Sequence, residues 1–539
     1  MPIITQRWRE ILLAMLLLGQ FAVRGELSLR QESPVWDERL HVGYGLALLD
    51  RGPSFDGQDH PYLLAAALTL PAWRALPGPD RYAQGDVDDP AVLFPVRRMN
   101  LALATLALAL LAMWALHRQG AGFALTILAI ASLDPGWLAQ ARYATTDIGH
   151  ALGWWLAVIA LWLHQRDGRR RWLLLAGGGM ALGLASKWST LALPALVPFL
   201  WLLPDGRPLR QKLLPALRAA LLTGLIALVW LLVPFLLLAL WRHVPVATAL
   251  AHVWHGLQAS LLKRTGAHGV YLLGAWWPEG TRWYFPLLLL AKTPVALLVL
   301  ALLGLTWRLP RQTWRDDRGW LALLVGYLLL AIAAKQNLGH RHLTPFLPVV
   351  WWLATAALLA LWRAAGRQKW TAPVIGGLIA VEALAIHPHY LAFANGLFGG
   401  ANAVPPVAVD AAGDWGQALP ALHAYLQAHP ATSGRVDLAY FGNAAPERYL
   451  GATVWRSCGV LGRPPAKAQA RAEVTDSAEL LAVSATCVYG GAGVRAGSAV
   501  DATRRDDAWA YLRGVEPDAF IGGSILVFRR QPGVNTNGH

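Results

Sequence analysis

Cysteine is scarce: the 539 residues hold two, Cys458 and Cys487. That excludes a disulfide-stapled mini-protein and a cysteine-cluster metal site. There is no His-x-x-x-His pair on a helix and no Walker loop, so no motif announces a resident metal or a nucleotide. Charge is scarce as well, at 15% of residues, and acidic groups more so, with 32 Asp+Glu against 47 Lys+Arg. The 51 glycines follow no period, which excludes collagen, and the sustained apolar runs exclude a disordered chain. What is abundant is apolar surface: 55% hydrophobic residues, 27 tryptophans and a mean hydropathy of +0.39. These values describe a polytopic membrane protein. The net charge of +15 would suggest a nucleic-acid partner in a soluble chain, so its distribution has to be accounted for.

Apolar runs near the length that crosses roughly 30 Å of hydrocarbon recur through the first three-quarters of the chain. About eleven are read, near 10–24, 95–116, 121–141, 146–164, 172–186, 188–203, 215–241, 284–306, 319–334, 343–362 and 371–391. The first is taken as a span rather than a cleaved leader, because no small-residue cleavage site follows it. With the N-terminus in the cytoplasm, eighteen basic residues fall inside, among them Arg118, Arg169, Arg170, Arg171, Arg210, Lys212, Arg315 and Lys369. The short outer turns hold only Arg142, Lys187, Lys335 and Arg341, the asymmetry of the positive-inside rule. The excess positive charge is therefore chiefly an orientation signal, and no nucleic-acid partner is expected. This topology predicts a multi-pass protein of the inner (plasma) membrane, with two long outer loops at about 25–94 and 242–283 and an extracytoplasmic, periplasmic C-terminus.

The expected division is a membrane domain over 1–395 and a small soluble α/β domain over 396–539. In the latter a helix is predicted over 415–428 and short strands over Val436–Phe441, Leu480–Tyr489 and Ser524–Phe528. Both cysteines lie there. In an oxidising compartment Cys458 and Cys487 could form a bridge contributing about 2–4 kcal/mol, the alternative being two small buried thiols.

Chemistry-bearing residues collect on the outer side. Asp37-Glu38-Arg39 with His41 supplies a candidate general base, a hydrogen-bonding partner and a counter-charge, and Asp59-His60-Pro61 follows in the same loop. Arg142 and Asp147 flank the turn between the third and fourth spans, Lys187 stands between two short helices, and Gly339-His340-Arg341-His342 opens the tenth span. Cations around one outer mouth suit a phosphate whose lipid tail lies in the bilayer. For any one of them, snorkelling to the interface is the competing structural role. Asp37, Glu38 and Asp147 would hold a divalent cation only if they converge. Trp276-Trp277 and Trp283-Tyr284 read first as an interfacial belt, second as surfaces for sugar stacking.

The order Asp37-Glu38, His41, His60-Pro61, Thr146-Asp147, Ser186-Lys187-Trp188 and Arg341-His342-Leu343-Thr344-Pro345 resembles the lipid-carrier-dependent, C-type glycosyltransferases of the protein O-mannosyltransferase superfamily, which includes the bacterial lipid A aminoarabinose transferases. The likeness continues through Tyr271-Leu272-Leu273-Gly274, Trp283-Tyr284-Phe285-Pro286, Lys292-Thr293-Pro294, His389-Tyr390-Leu391-Ala392 and Asp414-Trp415-Gly416-Gln417. It implies the C-type glycosyltransferase fold and inverting transfer of a sugar, mannose-like or a modified pentose or hexose, from a polyprenyl-phosphate donor to an extracytoplasmic protein, lipid or glycan. By motif, Asp37 is the implied base, with Glu38 and Arg39 supporting it. His60 and Asp147 contact substrate, and Arg341, His340, Arg142 and Lys187 receive the donor phosphate. Asp59-His60-Pro61-Tyr62 stands where many relatives have a double proline, which puts His60 in question. A transporter or flippase of a lipid-linked or small polar substrate is the alternative, but the charges sit on one side and no internal repeat is found.

Overall fold

The computed structural model describes residues 2–529 apart from 55–59, 79–80, 203–207, 264–268, 309–311, 364–369, 430–435, 452–453, 458–478 and 491–508. Asp59 and Cys458 lie outside the described residues, as do the basic residues Arg207, Arg311, Arg367 and Lys369. So does one partner of the expected disulfide pair.

The apolar runs fold as helices. They begin with α1 (Pro2–Leu29), α2 (Trp36–Arg51), α3 (Leu63–Ala75), the short α4 (Arg81–Gln84), α5 (Pro90–Gln119), α6 (Ala121–Leu133) and α7 (Pro135–Ala141). They continue with α8 (Asp147–Asp167), α9 (Arg171–Ser186), α10 (Leu193–Leu202), α11 (Leu209–Trp241), α12 (Val246–Lys263), α13 (Tyr284–Lys292), α14 (Val295–Arg308), α15 (Gln312–Ala334), α16 (Leu347–Trp362) and α17 (Thr371–Ala385). Among the described residues five helices are long and apolar enough to cross a membrane, or up to seven if the bent pairs α6–α7 and α13–α14 each count as one span. The sequence reading of about eleven counted shorter pieces. Helices α9, α10 and α17 have 16, 10 and 15 residues, fewer than the roughly 20 a straight crossing needs.

Helix ends are set by local chemistry. The Asp89 side chain accepts from Ala91 N at 2.8 Å just ahead of Pro90, fixing the start of α5. Asp134 caps α7 through Gly136 N and Trp137 N at 2.8 and 3.2 Å, and its other oxygen accepts from Trp351 Nε1 at 2.7 Å, which ties the α6–α7 bend to α16. Around that tie Trp137 stacks on Trp155 at 5.0 Å and meets Trp351 edge-on at 5.7 Å, contacts worth about 0.5–1.5 kcal/mol each beyond area burial. Helices α8 and α9 approach backbone to backbone: a Cβ at Gly153 would lie 2.7 Å from the Gly179 carbonyl. Only small residues allow that contact, the usual way apolar helices associate in a membrane.

The C-terminal region forms a five-stranded mixed sheet. Its order is β4 (Val454–Ser457), β3 (Val436–Tyr440), β5 (Leu480–Ser484), β7 (Ile525–Arg529) and β6 (Ala519–Ile521), with β3 parallel to β4 and β5, and β7 antiparallel to β5 and β6. Helix α18 (Leu419–Ala428) packs Leu419, Leu422 and Leu426 on Leu438, Leu480 and Ile525. The strand predicted to continue to Tyr489 stops at Ser484. Ala485 N turns to Ser524 O at 2.7 Å, and residues Ala485–Tyr489 form a helical turn instead. A two-stranded hairpin, β1 (Val270–Leu272) with β2 (Ala275–Trp277), rises from the second outer loop and meets Ala408 through Leu272.

The sheet region is fastened over the segment that joins α1 to α2. Ser33 N and Oγ donate to Gln417 O and Gly416 O at 3.0 and 2.8 Å, and Trp36 N donates to Trp415 O at 3.1 Å. Trp36 stacks on Phe441 at 5.2 Å, and Asn443 Nδ2 donates to Trp36 O at 2.9 Å. Gly416, at φ +90, sits where a Cβ would come within 2.8 Å of the backbone of Phe441 and Gly442. The Asp414-Trp415-Gly416-Gln417 motif is thus the joint between the two parts, immediately beside Asp37.

Candidate functional site

The first turn of helix α2 carries Asp37 and Glu38. Successive residues of a helix point roughly 100° apart, so the two carboxylates face different surroundings. Glu38 is fully buried. It accepts from Arg97 Nε and NH2 at 2.8 and 2.6 Å, Val35 N at 2.8 Å and Ala144 N at 2.7 Å. Arg97 also donates to Leu29 O, Glu32 O and Ser33 O at 2.6, 2.9 and 3.0 Å. The expectation that Glu38 joins Asp37 at the reacting centre meets a different geometry: both its oxygens are committed to holding the loop to α5.

Asp37 turns the other way and pairs through Oδ2 with Arg341, with about a fifth of its side chain accessible. Arg341 comes from the 3-10 helix His340–Phe346 that precedes α16, and its guanidinium lies 4.6 Å over the ring of Trp415. Burial alone pushes the Asp37 carboxyl up, but Arg341 and His41 outweigh it and hold the group below the usual carboxylate range. Next to this pair Lys187 Nζ meets Asp147 Oδ1 at 2.5 Å, joining the start of α8 to the break after α9. His41 stands one helical turn from Asp37, with the His60 ring 5.6 Å away. The segment from α2 to α3, three helix breaks and the joint to the sheet region therefore bring Asp37, His41, His60, Asp147, Lys187 and Arg341 to one mouth.

Other expected residues lie elsewhere. Arg142 is fully buried behind the mouth and pairs with Glu32 at 2.5 Å, with Tyr143 Oη donating to the same carboxylate at 2.7 Å. Burial would raise Glu32, yet Arg142 dominates and lowers it to about 2, so this pair stays ionised and mutually neutralised. Arg39 is about half exposed and reaches Asp88 at 2.8 Å, beside the contact of Asp88 with Ala445 N. His340 turns into the bundle, toward a cavity of about 10 Å³ lined by Gly136, Lys292 and Tyr390, room for about one water. Asp37 and Asp147 share the mouth while Glu38 is turned away from it, and each of the three carboxylates pairs with a different cation. Among the described residues no group of three His, Cys, Asp or Glu is arranged to hold a metal ion.

Three contributors went unmarked in the sequence. Glu32 and Arg97 organise the buried side; an arginine inside an apolar run was the available signal for Arg97. The third is Asp410, four residues ahead of the Asp414-Trp415-Gly416-Gln417 motif. Its backbone is left-handed, at φ +56, and its N–H donates to Thr486 Oγ1 at 3.0 Å. Burial pushes its carboxyl up to about 6 against the pull of Arg341, with Asp37 adding to the rise. Four residues on, Asp414 is buried against Ser524 Oγ and Thr486 N, and burial raises it to about 6 as well.

Residues 82–250 match the model of the dolichyl-phosphate-mannose-protein mannosyltransferase family. The resemblance read from the motifs is thus shown independently over a segment that contains Arg97, Arg142, Asp147 and Lys187. A search of curated protein sequences gave no match. Among solved structures, the chain is similar to ArnT from Cupriavidus metallidurans bound to undecaprenyl phosphate, at 16% identity and TM-score 0.49, over 70% of this chain and 64% of that one. This chain therefore covers less than two thirds of that protein's length. It is also similar to the archaeal oligosaccharyltransferase AglB from Archaeoglobus fulgidus, in complex with an inhibitory peptide and a dolichol-phosphate, at 14% identity and TM-score 0.42 over 70% and 55% of the two chains. A third likeness is to the arabinofuranosyltransferase AftD from Mycobacteria, at 16% identity and TM-score 0.33, over 86% of this chain and 35% of that one.

Proposed function

We propose that this chain is an inverting glycosyltransferase that moves a sugar from a polyprenyl-phosphate carrier to an acceptor on the extracytoplasmic side of the membrane. The observation that carries the reading is the pairing of Asp37 with Arg341 at a mouth that also holds Asp147 and Lys187. Two carboxylates and two cations at the end of an apolar bundle match the two needs of a displacement at an anomeric carbon. A base must take the acceptor proton on one face, and the departing charge must be stabilised on the other.

The donor lies with its tail along the helices and its phosphate at Arg341 and Lys187. As the phosphate engages Arg341, it draws the guanidinium away from Asp37, and the Asp37 carboxylate becomes a stronger base. The acceptor hydroxyl oxygen attacks the anomeric carbon while its proton passes to Asp37. The bond from that carbon to the phosphate oxygen breaks, and its electron pair leaves on the phosphate. That group is already ionised and needs cations rather than a general acid. Attack from the face opposite the phosphate inverts the anomeric centre. Glu38 and Arg97 hold α2 in place, and Asp410 and Trp415 close the mouth from the sheet region.

The test is incubation of the purified full chain with labelled polyprenyl-phosphate sugars and a membrane extract. Label is expected in a new product, with the anomeric configuration inverted. Flux of donor across liposomes with no transfer of label would overturn the reading in favour of a transporter.

A further inference from the structure

A cleft of about 850 Å³ opens between the β1–β2 hairpin and the sheet region, lined by Tyr271, Trp276, Tyr489 and Phe520 among others. The proposed chemistry at Asp37 makes no use of it. It also absorbs Trp276, whose role in the sequence was divided between an interfacial belt and a sugar platform. We propose that this cleft binds the acceptor and that the acceptor is a neutral saccharide chain, an inference that rests on the glycosyltransferase reading and names its second substrate.

Three observations carry it. First, the wall is aromatic but not greasy. Trp276 and Phe520 are half-buried on it, Tyr271 and Tyr489 pack on each other 5.3 Å apart and are buried, and Asn402, Glu516 and Asp518 sit on the same lining. Flat apolar faces edged by hydrogen-bonding groups match a sugar ring, which offers C–H faces and a rim of hydroxyls. Second, the charge is wrong for an anion. The lining carries Arg513 against two carboxylates, Glu516 and Asp518, and Arg513 Nε already donates to Val488 O at 2.7 Å. Asp518 is also paired with Arg529 at 3.7 Å, so the lining offers a phosphorylated lipid headgroup no excess of positive charge.

Third, the cleft wall and the reacting centre are joined by a short stretch of chain. Val404 and Pro405 line it, and the same strand of chain reaches Asp410 five residues later, at most roughly 18 Å away when fully extended. Leu273 N donates to Val407 O at 2.8 Å, binding the hairpin to that segment. Tyr489, on the other wall, is three residues beyond Thr486, which receives the Asp410 N–H. An oligosaccharide lying in the cleft would present its end toward Asp37, with further units held outboard.

Trp277 supplies an internal control. It follows Trp276 on a strand, so the two side chains point to opposite faces, and Trp277 is exposed but absent from the cleft lining. In the labelled-donor assay with wild-type full chain, the product is expected to be destroyed by periodate or glycosidase and to resist protease. Trp276→Ala and Tyr489→Ala should each raise the half-saturating acceptor concentration about tenfold, equivalent to about 1.4 kcal/mol, with the half-saturating donor concentration unchanged. Trp277→Ala should behave as wild type. Transfer by wild type into a protease-sensitive product, or into a lipid without saccharide, would overturn the inference while leaving the glycosyltransferase reading intact. So would an unchanged acceptor dependence in both cleft variants. A binding measurement independent of chemistry uses hydrogen–deuterium exchange on the full chain with α-mannotetraose and cellotetraose. Protection of 270–277 and 513–520 by either supports the proposal, and protection by neither overturns it, even if no transfer is ever observed.

Discussion

Asp37 and Glu38 are adjacent and chemically alike, yet replacing each by its amide should produce opposite phenotypes. In Glu38→Gln one of the two carboxylate oxygens becomes an NH2 group facing donors. Of the four hydrogen bonds that Glu38 accepts, from Arg97 twice, Val35 N and Ala144 N, about two are lost, and the charge opposite Arg97 goes with them. Breaking a fully buried ion pair costs about 3–5 kcal/mol. Three backbone carbonyls still hold Arg97, which places the cost near the lower end of that range. Against a typical total stability of about 5–15 kcal/mol, such a loss should lower the thermal midpoint of the detergent-purified protein by many degrees. In Asp37→Asn the lost partner is Arg341, but this side chain is a fifth accessible and Arg341 keeps its stack on Trp415. The stability change should be about 1 kcal/mol. Transfer, by contrast, should fall by roughly 10²–10⁴, the usual contribution of a positioned base. Fluorescence-monitored unfolding and the labelled-donor assay, run on the same preparations, read both quantities. Full transfer by Asp37→Asn would refute the assignment of the base. A Glu38→Gln protein as stable as wild type would refute the structural role given to its partner.

Two further outcomes follow from the same contacts. Arg39→Ala removes a half-exposed pair with Asp88 and should change stability by less than about 1 kcal/mol and transfer by less than about threefold, because Arg39 faces away from Asp37; a loss of transfer comparable with that of Asp37→Asn would place Arg39 at the substrate after all. Asp414 is raised by burial to about 6 in the fold from an ordinary 3.8, so its neutral form is favoured by folding. Its stabilising contribution is complete below about pH 4 and is lost as pH rises through about 6. The unfolding midpoint of wild type should therefore fall relative to that of Asp414→Asn between pH 4 and 7, and a constant gap would contradict the shift.

Much of the membrane part was legible because apolar length and basic asymmetry are local properties of a chain, and each expected span falls on one or two helices. Their breaks were harder to read. A proline after Asp134 or Thr293 bends a helix pair by 68° or 113°, and only packing decides whether such a pair crosses or turns back. The outer residues could be gathered by motif, but not sorted. Arg341 and Asp37 meet across 304 positions, and Arg97 and Glu38 across 59, separations that no window along the sequence relates. Sorting is where the structure alters the picture of a ring of free cations. Arg142 is neutralised by Glu32 with neither side chain accessible, Lys187 by Asp147 at 9% and 1%, and Arg341 by Asp37 at 9% and 20%. An arriving phosphate has to displace or bridge a carboxylate, and the cost of doing so rises with burial. The accessible pair yields first. On this ordering, and on the proposed mechanism, a donor phosphate should meet Arg341 before Lys187 and not reach Arg142, and the carboxylate released by the first contact should be Asp37, the proposed acceptor of the hydroxyl proton.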